Sequence, residues 1–167
     1  MPKIYVNFKE LDLLDRKLKL LAKETNGICK MAIFDGADIA ITAVKKQINE
    51  LDRVPDVVAI NCWKKSTPCL ISVSQKNGLR ESIGISRMKV KGKIISNRVG
   101  FDGYNDVKTR RWPNGQPNVM IAASCEHGSS AMLEQPFIRT AYYLSKSAVQ
   151  RAMVKTATDQ ITKILDK

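Results

Sequence analysis

Phe34, Ala37, Ile41, Val44, Ile48 and Leu51 recur at alternating spacings of three and four residues. A period near 3.5 places apolar side chains on one stripe of an α-helix, where a strand would require alternation. The stripe predicts a long helix from about Ile28 to Leu51. Ile33, Ile39 and Ala40 widen it beyond the seam that a single partner helix covers, so this helix is expected to pack on a sheet as well as on another helix. Coiled coils usually sustain more heptads, which favours a core helix over a coiled-coil strand.

Upstream, Leu11, Leu14, Leu18 and Leu21 form a second amphipathic stripe that Asn26-Gly27 is expected to end, giving a separate N-terminal helix over residues 1–27. Downstream, Val54-Pro55-Asp56 stops helical continuation, and the stretch around Trp63 and Pro68 has no resolved period. Alternation returns at Ile83 through Val90 and again at Ile94 through Phe101, with Lys91-Gly92-Lys93 between, which predicts a β-hairpin. Residues 102–117 hold Gly103, Pro113, Gly115 and Pro117 and read as a long loop, a kind that is usually functional or mobile. A short helix is expected over Asn118–His127, with Asn118 as N-cap, Val119, Met120 and Ala123 on the buried face, and Gly128 ending it in the left-handed conformation. Pro136 fits the first turn of a terminal helix whose stripe is Ala141, Leu144, Ala148, Val154, Ala157, Ile161 and Ile164. The fold class is α+β: long N-terminal helices and a C-terminal helix packed on a small antiparallel sheet with a basic hairpin, in one domain of 167 residues.

Charge carries the strongest functional signal. The chain has 28 Lys and Arg against 16 Asp and Glu, a net charge of +12, which points to a polyanionic or acidic partner. Residues 76–111 alone contribute ten basic and three acidic groups. Arg87, Lys89, Lys91, Lys93 and Arg98 sit on the hairpin, and Lys108, Arg110 and Arg111 on the loop. No apolar run approaches the roughly 20 residues needed to cross a bilayer, and Met1-Pro2-Lys3-Ile4 opens no leader pattern, so a cytoplasmic chain without membrane contact is expected. Cys29, Cys62, Cys69 and Cys125 form no C-x-x-C pair and are expected to be buried free thiols. With a single histidine, His127, the chain offers no zinc-ligand spacing and no expected cofactor.

Catalytic signatures are missing as well: the sequence has no phosphate loop, zinc helix, nucleophile elbow or dinucleotide fingerprint. Cys125-Glu126-His127 are consecutive on a helix, each about 100° from the last, and cannot converge as nucleophile, base and orienter. No enzymatic role is expected.

Four blocks follow in order: Leu79-Arg80-Glu81-Ser82-Ile83-Gly84-Ile85, Val99-Gly100-Phe101-Asp102-Gly103-Tyr104, Glu126-His127-Gly128-Ser129-Ser130, and Gln135-Pro136-Phe137-Ile138-Arg139. In them, and in the helices on either side, the chain from Ile28 to Lys167 resembles the neck and minor tail-component proteins of lambdoid phages, the gene-product-ten family. The blocks depart from the family pattern at Lys76-Asn77-Gly78-Leu79, where the usual Thr-Gly-x-Leu is absent, and at Thr140, where proline is common. The resemblance implies a non-enzymatic virion protein at the head-to-tail junction, assembled in the bacterial host cytoplasm. It implies a homo-oligomeric ring, six copies as first expectation and twelve as second, between a portal-side connector and a tail terminator, with DNA passing its lumen.

Within the third and fourth blocks, Glu126 falls in the last turn of a helix, where the negative end of the dipole disfavours a carboxylate. A cationic partner is wanted, and Arg139 is the candidate, with Gly128, Ser129, Ser130, Pro136 and Phe137 shaping the turn between them. The second functional reading is a nucleic-acid-binding module in which the eight basic residues grip backbone and Trp112 stacks on a base.

Overall fold

The computed structural model describes residues 8–166, so the opening Met1-Pro2-Lys3-Ile4 lies outside the described residues. Its dominant element is a single helix, α1, Phe8–Glu50. At 1.5 Å per residue, its 43 residues span about 65 Å. The break expected at Asn26-Gly27 does not occur. A helical glycine costs about 0.5–1 kcal/mol relative to alanine, and the burial of Ile28 next to it and of Ala32 a turn later outweighs that local preference. The partner is α5, Ile138–Leu165, which runs antiparallel along α1. Gly36 of α1 lies under Met153 and Val149 of α5, Thr156 donates to Asp35 at 2.6 Å, and the Lys17 ammonium reaches the Leu165 carbonyl.

A small body closes around one end of this pair. After β1, Arg53–Val54, Pro55 precedes α2, Asp56–Lys64; then β2, Ile71–Ser72, pairs in parallel with β1 and leads into α3, Val73–Ser82. These two helices occupy the stretch whose period the sequence left unresolved. In α2 only Ala59 is buried while Val57, Val58 and Ile60 are exposed, so no stripe exists to be read. In α3 the buried residues are Gln75, Lys76 and Leu79, two of them polar. Its start is nonetheless a full capping box, in which the Ser72 hydroxyl accepts from Gln75 N–H and the Gln75 side chain accepts from Ser72 N–H.

The hairpin forms as two antiparallel pairs. β3, Ile83–Ile85, pairs with β6, Val99–Phe101, and β4, Lys89–Lys91, pairs with β5, Ile94–Ser96. Gly84 faces Gly100 in the first pair and Lys89 faces Ser96 in the second, so the register slips by one and Arg87-Met88 oppose Asn97 as a β-bulge. Because Lys91 pairs with Ile94, the turn shrinks to Gly92-Lys93, with Gly92 at φ +59° as a two-residue hairpin turn requires.

The fold is α+β. Its core brings Val44 and Ile48 of α1 and the following Leu51 against Ile71, Leu79, Ile83 and Met132, against Ile121, Ala122 and Cys125, and against Phe137 and Ala141. α4 spans Asn118–His127. Its buried face is Asn118, Ile121, Ala122, Cys125 and Glu126, the i, i+3, i+4 set one step removed from the expected one, which leaves Val119 and Ala123 exposed. Asn118 is the first helical residue instead of the cap; Pro117 holds the cap position, and the Asn118 amide donates to the Asp102 carbonyl at 3.0 Å. Gly128 has positive φ, 73°, but an extended ψ of 166°, so it leads the chain away and does not close a left-handed cap. Pro136 lies before the N-cap residue Phe137, and the expected α5 stripe is only partly covered: Leu144 and Val154 face solvent.

The loop 102–117 is folded against the body. Asn105, Val107, Gly115 and Gln116 are buried, the Asn105 side chain accepts from Val107 N–H at 2.9 Å, and Thr109 and Trp112 exchange both backbone hydrogen bonds at 3.0 Å. Arg110 and Arg111 form the tip of that turn. Gly115, at φ +106°, admits no side chain, since a Cβ there would stand 2.0 Å from the Asn105 carbonyl oxygen.

Candidate functional site

Glu126 ends α4, yet its carboxylate reaches across to the start of α5. One oxygen accepts from the N–H groups of Phe137 and Ile138, at 2.8 and 2.7 Å, and the other from Arg139 N–H at 3.0 Å. The carboxylate thereby satisfies orphan amides at the positive end of the second long helix. The Arg139 guanidinium stands 3.7 Å from Glu126 and an equal distance from Glu134, with its side chain 54% exposed. The structure thus brings Glu126 and Arg139 together, but the principal partners of the carboxylate are three backbone amides, and the ion pair is the lesser contact.

The remaining turn residues hold this geometry. A Cβ on Gly128 would press on Glu134 at 3.3 Å. Ser129 bridges its turn through its hydroxyl, which accepts from Ala131 and Met132 N–H, and through backbone bonds to Met132. Ser130 is exposed on the same turn. Phe137 is 1% exposed and meets Phe101 edge to face at 5.9 Å, while the Pro136 carbonyl accepts from Thr140.

Lys76 mirrors Glu126 at the other long helix. No basic residue occupies the last turn of α1; instead the Lys76 ammonium, buried from α3, donates to the carbonyls of Asn49 and Leu51 at 2.9 and 2.7 Å. Burial pushes its pKa below the usual lysine value, and nearby Arg53 adds to that effect. Sequence reading missed this residue because a lysine on an unassigned stretch defaults to the surface. Asp56 works similarly on a smaller scale. It accepts from the N–H and hydroxyl of Ser74, and although burial alone raises its pKa, hydrogen bonds from Ser72 and Ser74 hold it below the usual value.

Of the four cysteines, all free thiols, Cys69 and Cys125 are buried, Cys62 is half-buried and Cys29 is exposed, contrary to the expectation of four buried thiols. Burial, with Glu126 next, pushes the Cys125 thiol up to about 12, far from a reactive thiolate. Among the described residues no three His, Cys, Asp or Glu side chains gather as metal ligands, and no helix is long and apolar enough to cross a membrane.

All eight basic residues singled out in the sequence, Arg87, Lys89, Lys91, Lys93, Arg98, Lys108, Arg110 and Arg111, are exposed. Among the described residues none has a carboxylate within 4.0 Å. They are held by two different supports. The hairpin runs along α1, its Met88 beside Phe34, whereas the loop turn sits over α2 and α4, its Trp112 sharing a cavity with Trp63 and Met120.

Two apolar features complete the surface. A groove of about 610 Å³ runs between α1, α4, α5 and β6, walled by Val44, Val99, Phe101, Val119, Ile138, Tyr142 and Val149, with His127 and Lys146 at its lip. Along the helix pair Leu13, Leu14, Leu18, Phe34, Tyr143, Leu144 and Val154 are exposed, Tyr143 and Leu144 to 72% and 70%. No family model matches the chain, and neither a curated protein nor a solved structure matches it.

Proposed function

We propose that this chain is a non-catalytic assembly protein of a phage neck, a virion component in which several copies form a ring joining the head and portal complex to the tail. The observation that carries the assembly reading is the helix pair α1 and α5. Outside the part covered by the small body and the hairpin, these two long helices leave large leucine, tyrosine and phenylalanine side chains exposed. Exposed apolar side chains in such number suit a protein contact, and a ring supplies one from identical neighbours. The neck assignment rests on the four ordered sequence blocks, of which Glu126 through Ser130 and Gln135 through Arg139 form the cap joining α4 to α5. The unpaired basic residues of the hairpin and loop suit a ring on the path of DNA, where they meet phosphate in the lumen or acidic faces of adjacent rings. Expected neighbours are a portal-side connector and a tail terminator, with six copies expected before twelve.

Joining in vitro tests this reading. Heads and tails made without the chain should fail to join until it is added, and the triple variant Lys89→Glu, Lys91→Glu, Lys93→Glu should fold yet not restore joining. Joining that proceeds equally without the chain contradicts the assignment.

The second reading, a nucleic-acid-binding module, is favoured by the same unpaired cations. It predicts that the free subunit binds short duplex DNA with affinity falling steeply with salt. Association confined to other virion proteins excludes it.

A further inference from the structure

Both tryptophans of the chain, Trp63 and Trp112, line one cavity of about 290 Å³. They come from elements distant in sequence: α2 brings Trp63, the turn at 109–112 brings Trp112 and Arg111, and α4 contributes Ser124 to the lining. Among the described residues no Asp or Glu contributes to the lining. The Arg111 guanidinium stands 5.7 Å from the centre of the Trp112 ring, a cation–π distance that holds a positive charge at the mouth. Exposed Lys64, Lys65, Lys108 and Arg110 adjoin these residues in the chain.

The volume lies just below the roughly 300–1,000 Å³ of ligand pockets, which fits one planar ring better than an extended ligand. Aromatic walls select a flat ring, and a carboxylate-free cationic mouth selects an anion attached to it. A nucleobase with its phosphate has both features, and only in a single strand are its faces free to stack. We propose that this cavity is a stacking site for one base of a single-stranded nucleic acid, with Arg111 meeting the adjoining phosphate. The site rests on the nucleic-acid reading, to which it adds the cavity and the single-stranded substrate, and it stands without the neck assignment, since its lining comes from one subunit.

Because the two tryptophans are the whole indole content of the chain, intrinsic fluorescence reports on the cavity directly. The full chain is titrated with a 15-nucleotide oligothymidylate, with an abasic strand of equal length and charge, and with a duplex of the same length. The oligothymidylate should quench saturably, and the abasic strand should bind about 5- to 150-fold more weakly, the range of one stacked base. Trp112→Ala should lose that difference. Arg111→Ala, altered at an exposed position and expected to stay folded, should weaken binding and reduce the salt slope by about one. Equal affinity for the abasic strand, or no quenching up to millimolar strand, overturns the proposal, as does quenching by an acidic tyrosine peptide but not by DNA. Duplex binding without quenching, with all strands equal, identifies a backbone grip alone and also overturns it.

Discussion

Glu126 holds two kinds of partner, three amides of α5 and the Arg139 guanidinium, which substitution can separate. Glu126→Gln keeps the shape but loses charge and should cost about 1–2 kcal/mol, in the range of a lost charged cap. Arg139→Ala, at a half-exposed ion pair, should cost less than about 1 kcal/mol. Urea midpoints of the two variants check the order; a larger loss at Arg139 would make the ion pair the principal contact. Cysteine reactivity follows burial: at pH 8 in the native protein Cys29 should be alkylated first and Cys125 last, while denatured, non-reduced protein should yield all four thiols. Fewer than four would reveal a disulfide. Asp56 has its folded pKa depressed, so its contribution is present above the unfolded value near 3.8 and is lost as pH falls through the lower folded value. Asp56→Asn should flatten acid unfolding below pH 4, and an unchanged acid limb would contradict the assignment. At this scale the sequence exposed the Glu126 and Arg139 association through an unfavourable dipole. It could not show that the start of α5, built from Phe137, Ile138 and Arg139, lies within reach of that carboxylate, because that geometry is tertiary. Lys76 was illegible for the same reason.

Among the elements, continuity of α1 is the sharpest departure from sequence reading, and glycine substitutions test it in opposite directions. Gly27 has open space, with only a glutamate side chain at 3.9 Å, so Gly27→Ala in a continuous helix should stabilise by about 0.4–1 kcal/mol. A turn at that site would make the same change destabilising. Gly36→Ala would place a Cβ 2.7 Å from Met153 and 3.2 Å from Val149 and should destabilise, because these α5 side chains fill the space over the glycine. Thermal melts of the two variants read both signs. A long periodic stripe made α1 from Ile28 onward legible, alternation did so for the hairpin, and α4 was legible in extent though not in its buried face, whereas local breaker residues misplaced the helix boundary at Asn26-Gly27. The helices α2 and α3 escaped detection because their buried positions are few or polar: Ala59 in one, Gln75, Lys76 and Leu79 in the other.

In the whole molecule, a compact body anchors one end of a long helix pair through two buried charges of opposite sign, Lys76 at the end of α1 and Glu126 at the start of α5. That anchoring leaves the apolar flanks of the pair and the cations of the hairpin and loop turned outward. Neither feature stabilises a lone subunit, and both suit an assembly whose neighbours cover the first and whose acidic partner meets the second. A density map of the assembled head-to-tail junction tests this most directly. The expected result is a closed ring of this chain in which adjacent copies cover Tyr143, Leu144 and Val154, with the segment Arg87 to Arg111 facing the lumen or an acidic neighbour. A junction lacking the chain, or a ring in which that segment faces outer solvent and the helix pair touches nothing, would contradict it.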